Sequence, residues 1–337
     1  MKDYNDKRSV FLILIIALIV LFGASFFIGR YTIDIHKLLD LFVLKIQNKP
    51  FNQYEELNTI IFSIRLPRIF ASLLIGSSLA VSGTVFQSIF RNPMVSPDVL
   101  GAANGAGFGA AIGILLSVGF WGVQISSFIF GILAVLITYS LSIALAKKGD
   151  PVLMLVLAGI VIGSIFSSLI SLTKYVADPN ETLPTITFWL MGSLTSVKAK
   201  EVLLLTIPVS AGLIPLFIFR NKLNIMAFGD EEAQSLGINV KKTRLLFIVC
   251  ATIITATSVS LCGMVGWVGL IIPHITRALV GTNHKTLIPA SILIGAIYLM
   301  VVDDLARTLF SVEIPLGIIT SLIGAPFFIY LLFQKKE

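Results

Sequence analysis

Two adjacent carboxylates, Asp303 and Asp304, close an apolar stretch that runs from Thr286 to Val302. Inside a membrane an acid is costly and points to ion or proton traffic, whereas at a helix end a solvated or arginine-paired role is more ordinary. Three arginines stand in comparable places, Arg65 and Arg68 in the run Arg65-Leu66-Pro67-Arg68 and Arg307 just beyond the acids. Planar guanidinium groups suit two-pronged contact with carboxylates, so these three are candidates to receive an acidic partner, with interfacial anchoring as the competing role. A further group, Gly229-Asp230-Glu231-Glu232-Ala233-Gln234-Ser235-Leu236-Gly237, places acids first and glycine last. That order suits both ends of a helix dipole and predicts about two turns of surface helix, against the alternative of a solvated loop.

Missing chemistry narrows the field as much. No G-x-x-x-x-G-K-S/T loop occurs, so ATP-driven work needs another subunit. There is no H-E-x-x-H, paired C-x-x-C or G-x-S-x-G, and His36, His274 and His284 are far apart in sequence. His274 follows Pro273 in an apolar segment and reads as a packing histidine. Gly105 to Ala110 spells G-x-G-x-x-A, but no strand precedes it and the surroundings are apolar, so it is not a dinucleotide site. Cys250 and Cys262 fall in one apolar run, about 18 Å apart along a helix, and read as small packing residues.

The elements that must position these residues are set by composition. Of 337 residues, 56% are hydrophobic and 13% charged, and the mean hydropathy is +0.95. Such a chain is not a single soluble domain; at about 20 residues per span it has room for nine or ten membrane helices. Charge-free windows run over Ser9 to Gly29, Ile69 to Phe90, Val99 to Ala146, Pro151 to Thr173, Val202 to Phe219, Leu245 to Thr276, Thr286 to Val302 and Ile314 to Gln334. The first is too long for a cleaved signal core and is read as a retained helix. Val99 to Ala146 would extend about 72 Å, more than twice the hydrocarbon core, and is expected to turn near Gly119 to Gly122. Leu245 to Thr276 is expected to break around Gly263 to Gly269, leaving a short eighth helix. The expectation is all-α with ten spans.

An even count puts both termini on one side. Lys2, Lys7, Arg8, Arg91, Lys147, Lys148, Arg220, Lys222, Lys241, Lys242, Arg244, Arg277, Lys285, Lys335 and Lys336 then share that side, and the excess of bases assigns it to the cytosol. The net charge of +7 is thus explained beside a membrane, with no basic, aromatic-interleaved stripe for nucleic acid. Sliding the chain by 180 residues brings Gly83 onto Gly263, Val85 onto Val265, Pro93 onto Pro273 and Gly101 onto Gly281. This shift of five spans implies an inverted internal repeat, a transporter feature. Gly101, Gly105, Gly109 and Gly113 recur every four residues and predict a helix face for close packing.

Taken together, the segments resemble permease subunits of the binding-protein-dependent ABC importers for iron-siderophores, haem and cobalamin. The matching pieces are Arg65 to Arg68, Gly83 with Gln87, Arg91-Asn92-Pro93-Met94 through Gly101, Trp189 to Leu194, Gly229 to Gly237, Gly266 to Arg277, Asp303 to Arg307 and Pro315 to Phe328. The resemblance implies one permease domain over 1–337 in the cytoplasmic membrane, paired with a second permease copy or paralogue. It also implies two cytosolic ATPase subunits that bind ATP and magnesium, an extracytoplasmic binding protein, and no cofactor or catalysis in this chain. By the same resemblance Arg65, Arg68 and Arg307 meet acids on the binding protein. The loop 220–244 couples to the ATPases through Gly229 to Gly237, and Asn92 and Met94 belong to a cytosolic gate. Met94 stands where the family commonly has leucine, and Trp267 where it has phenylalanine. The rival is an ion-coupled secondary transporter using Asp303 or Asp304. Among cargoes, an iron-siderophore heads cobalamin, haem and molybdate.

Overall fold

A computed structural model describes residues 2–145 and 150–334, with side chains over 7–145, 150–331 and 333. Lys147, Lys148, Lys335 and Lys336 of the charge count lie outside the described residues. Among those described, every regular element is helical. The first is α1 (Lys2–Ser25), followed by α2 (Ile35–Ile46), α3 (Glu55–Asn58) and a π-helical stretch, Thr59–Arg65, that runs straight into α4 (Leu66–Ile89). Then come α5 (Ala102–Leu115), α6 (Gly119–Leu145), α7 (Pro151–Val176), α8 (Thr182–Met191), α9 (Ala199–Ile218), α10 (Arg220–Met226) and α11 (Asp230–Ser235). The remainder is α12 (Val240–Cys262), α13 (Val268–Val280), α14 (His284–Ala306) and α15 (Leu316–Gln334). Among the described residues seven helices are long and apolar enough to cross a bilayer, and the shorter apolar helices α5, α13 and α15 account for the remaining three of the ten expected spans.

Two boundaries differ from the expectation. The turn after α5 falls at 116–118, and Gly119 already opens α6. Ser117 takes a left-handed φ of 52°, while its amide and that of Val118 donate back to the carbonyls of Ile114 and Gly113. This double bond pattern closes a helix wherever the left-handed residue falls. The additional short helix α8 lies between spans, where Asp178 and Glu181 interrupt the apolar run. The Asp178 side chain accepts the amides of Asn180 and Glu181 ahead of it.

The inverted repeat is present, but not in the 180-residue register. Pro93 lies in the turn after α4 whereas Pro273 is inside α13; Gly101 precedes α5 whereas Gly281 follows α13. The helices repeat at about 165 residues instead: α5 begins at Ala102 and α13 at Val268, α6 at Gly119 and α14 at His284, α7 at Pro151 and α15 at Leu316. Helix ends carry the symmetry, and isolated glycines and prolines in small-residue apolar stretches coincide by chance. The packing exchanges accordingly: α4 lies on α13 and α14, α12 lies on α5 and α6, and α4 and α12 lie on each other.

Small residues make this exchange close. A Cβ at Gly83 would run into the carbonyl of Gly269, and one at Gly76 into that of Gly295. Serines and threonines knit the same seam, with Ser82 Oγ 2.6 Å from Thr255 Oγ1 and Thr84 Oγ1 2.9 Å from Ser291 Oγ. Such contacts, more than apolar burial, hold helices together in lipid. Both α4 and α12 are buried almost all round, while α1 presents Leu12, Ile13, Ile16, Ile19 and Val20 outward.

The two ends of the bundle are distinct. One carries Ser25, Arg68 and Asp303; the other carries Arg91, α11 and His284. Since α1 runs toward the first end and α15 away from it, the described start and end of the chain, Lys2 and Gln334, share the side of the 220–244 loop.

Candidate functional site

The segment 229–237 is built as a rigid knob. Gly229 has φ 135° and ψ 163°, a conformation restricted to glycine, and Gly237 has φ 80°. The Gly237 and Ile238 amides donate to the carbonyls of Gln234 and Ala233, closing α11, and the Asn239 side chain accepts the Lys242 amide to open α12. Ala233 is buried in the same apolar cluster as Leu223 and Met226 of α10 and Phe86, Ile89 and Phe90 of α4. Glu231, Glu232, Gln234, Ser235, Leu236 and Phe228 face outward. The knob thus has a solvent face and a dry root in the membrane bundle.

Asp230 ties that knob to two other elements. Its Oδ1 accepts from Arg91 at 2.7 Å, and both oxygens accept from Arg244 of α12 at 2.8 Å. Arg91 ends α4 with a left-handed φ of 49°, where glycine is ordinary. The amides of Arg91 and Asn92 donate to Ser88 and Gln87 carbonyls. An arginine in this conformation costs about 1–2 kcal/mol, and its guanidinium is the group that reaches Asp230. Immediately after it, the Met94 amide donates to Asn92 Oδ1 at 2.9 Å, so the two residues expected at a gate from the resemblance sit in one turn. Met94 is exposed beside a cavity of about 250 Å3 between α13 and α15, lined by Leu270, His274 and Phe328.

A polar seam joins this turn to the second repeat. Gln87 donates to the carbonyls of Gly269 and Leu270 and accepts from Arg277. His284 contacts Ser88 Oγ through Nε2 at 2.5 Å and Asn224 Oδ1 through Nδ1 at 2.7 Å. Trp267 precedes α13 at the position that Gly101 occupies before α5, and it too is left-handed, with φ 70° against 80°. A bulky residue held there is strained; its ring is wedged against Gly324 and meets Phe328 edge-on, 6.2 Å between centroids.

At the other end, the three arginines are not free surface charges. Arg68 is 4% exposed; its Nε donates to Asp303 at 2.8 and 2.9 Å and its Nη1 to Glu313 at 2.8 Å. Arg307, 6% exposed, donates to Asp304 and to the Ser25 carbonyl, and Ser25 Oγ donates to Asp304 at 2.7 Å. Arg65 donates to the carbonyls of Phe26 and Tyr31. Within the single chain Arg68 meets Asp303, 235 residues away, a pairing that no local spacing reveals, and Arg307 meets Asp304, three residues before it, while Arg65 meets carbonyls alone. Asp303 and Asp304 take the arginine-paired role. Glu313, outside the spans, has its carboxyl held below the usual range: burial opposes ionisation, but Arg68 and a 2.8 Å hydrogen bond from Thr195 outweigh it.

Three of the four predicted glycines, all on α5, pack against α6. A Cβ on Gly105, Gly109 or Gly113 would meet Phe130 and Ala134, Ser126, or Ser126 and Val123 respectively. Gly101 departs from this row: it is left-handed and abuts Gly163 of α7. Of the side chains that matter here, Arg244, Glu313 and Ser25 carried no motif, and Arg91 stood in a matching segment that did not reveal its tie to Asp230. For the charged ones the available signal was opposite charge alone.

Interlocked inverted repeats, backbone-close crossings and a capped knob tied to a stiff turn define a multi-pass membrane transport subunit. The chain belongs to the FecCD transport family, whose model matches residues 16–334. It is 36% identical over 326 residues to the molybdate import system permease MolB of Haemophilus influenzae, covering 97% of this chain and 94% of that one. It is 40% identical over 284 residues to an iron chelatin transport system permease of Helicobacter pylori, covering 84% and 85%. A solved structure described as an inward-facing metal-chelate type ABC transporter superposes with a TM-score of 0.86 at 35% identity, over 97% of this chain and 99% of that one.

Proposed function

We propose that this chain is the permease subunit of an ATP-driven, binding-protein-dependent importer that carries an iron-siderophore across the cytoplasmic membrane. Two separate ATPase subunits bind ATP and magnesium and grip the knob at Gly229 to Gly237. A second permease copy or paralogue completes the path, a binding protein delivers cargo from outside, and both chain ends face the cytosol. The observation that carries this reading is the double clamp on Asp230. A push on α11 is passed through Arg91 to the turn holding Asn92 and Met94, and through Arg244 to α12, the first helix of the second repeat. The ligand changes which side is open by favouring one arrangement over the other. No step makes or breaks a covalent bond in this chain.

At the opposite end, an arriving acidic side chain would have to compete with Glu313 for Arg68. Glu313 is the one acid of that cluster standing on a connecting loop, so it is the partner that yields. Molybdate is the second reading, favoured by the relative that covers nearly the whole chain. The test is uptake into liposomes carrying the permease with its ATPase and binding protein, offered a labelled ferric siderophore or labelled molybdate. ATP-dependent accumulation of the chelate alone is expected. Accumulation of molybdate alone transfers the assignment to the oxyanion, and uptake by the isolated chain on an ion gradient removes the ATP-driven reading altogether.

A further inference from the structure

Helix α2 is apolar on two faces, and only one of them is used within the chain. Leu38 and Leu41 are buried against Leu57 and Ile61 in a small cluster of their own. Ile35, Leu39, Phe42, Val43 and Ile46 lie along a neighbouring stripe, spaced as one helix face, and are exposed, Leu39 at 57% and Ile46 at 81%. His36, Asp40 and Gln47 occupy the third side. A contiguous apolar stripe of this kind marks a contact surface.

Its position says what the contact is. α1 is the least buried of the long apolar helices among the described residues, with 6% of its apolar window buried, and α2 begins ten residues beyond its end. The connection is pinned by Arg65, which donates to the carbonyls of Phe26 and Tyr31, and by Arg30, which donates to the Phe310 carbonyl at 3.2 Å. The helix is therefore held beside a boundary with lipid. Phe27 and Tyr31, exposed along the connection, continue the apolar surface from one helix to the other. Lys37 is exposed on the side of α2 opposite the stripe, Lys49 is exposed just past the helix end, and Lys45 lies across the Phe62 ring at 3.5 Å with its stem half-buried. Cations on the side away from an apolar stripe and at its end suit the phosphate layer above acyl chains. A soluble partner that comes and goes would leave five large apolar side chains in water at each departure; interfaces of that transient kind are no more apolar than ordinary surface.

We propose that α2 is an interfacial helix, its stripe set into the acyl boundary of the leaflet at the far end of α1 and its lysines among the headgroup phosphates. This holds whatever cargo the importer carries. Both native cysteines are buried, so a single introduced cysteine accepts a nitroxide label selectively. Val43→Cys and Ile46→Cys, with Lys37→Cys and Gln47→Cys as polar-face controls, are labelled in the full chain within phosphatidylcholine/phosphatidylglycerol vesicles. Collision with oxygen and with a water-soluble nickel complex is read by electron paramagnetic resonance. Labels at 43 and 46 are expected to favour oxygen over nickel several-fold more than those at 37 and 47. Equal, high nickel collision at all four positions overturns the proposal in favour of a water-exposed helix. Low collision with both reagents at 43 and 46 overturns it in favour of a protein contact.

Discussion

The two ends of the bundle use the same chemistry, arginine against carboxylate, under opposite conditions of solvation. At one end Arg68, Arg307, Asp303 and Asp304 are almost sealed from solvent; at the other, the Arg91 side chain is 42% exposed and that of Asp230 32%. A sealed pair is costly to open, because each charge freed in a low-dielectric setting loses its only compensation. A wet pair is worth little to stability and is easily broken and remade. The first kind of bond suits a structural closure and the second suits a relay. The comparison teaches that burial, more than residue type, separates an element that holds from one that transmits.

The sharpest way to break this contrast is Asp303→Asn. Arg68 and Arg307 would share one fewer negative charge in a buried site, and a loss of about 3 kcal/mol or more is expected, read as a large fall in melting temperature in detergent. A fall no greater than that of an exposed pair would mean the cluster is solvated in practice. Glu313→Gln is expected to cost less and to depend on pH in a defined direction. Its carboxyl is depressed in the folded protein, so its contribution is present above the ordinary carboxylate range and disappears as pH falls through the lowered value. The melting difference between the chain and Glu313→Gln should accordingly persist at pH 5 and vanish only in stronger acid.

At the wet end the stability effects should shrink. Asp230→Asn is expected to change stability by about 1 kcal/mol or less and to be masked further by salt. Yet ATP-driven uptake in the complete importer should fall at least tenfold. The smallest effect on stability is expected for Arg91→Gly, which removes the ion pair but restores the residue a left-handed helix end prefers. Melting should be unchanged or slightly raised while uptake is lost and ATP hydrolysis continues. Full uptake by this variant would show that motion reaches the turn through the apolar root alone.

Much of the architecture is legible in the sequence, because a bilayer demands long uncharged windows and each of the eight contains one or two helices. The short helix at 182–191 escaped that reading because an acid-containing turn introduces it, and α2 escaped because it sits among Lys37, Asp40 and Lys45. Capped ends were readable at Gly229 and Gly237, where local chemistry dictates conformation. The burial of Arg68 was not, since Asp303 is distant in the chain and the decisive fact is which helices meet. The repeat was legible as an idea but not in register, since Gly83 and Gly263 match in type while Gly83 lies inside α4 and Gly263 follows the end of α12.

The paired glycines on α4 set a mechanical condition on all of this. At Gly76 with Gly295 and at Gly83 with Gly269, main chain rests on main chain, and no side-chain torsion is left to absorb a displacement. Two such bearing points along one axle prevent the neighbouring helices from sliding past it. A force applied at the Arg91 end must tilt the whole spindle, and the sealed end will feel that tilt as leverage.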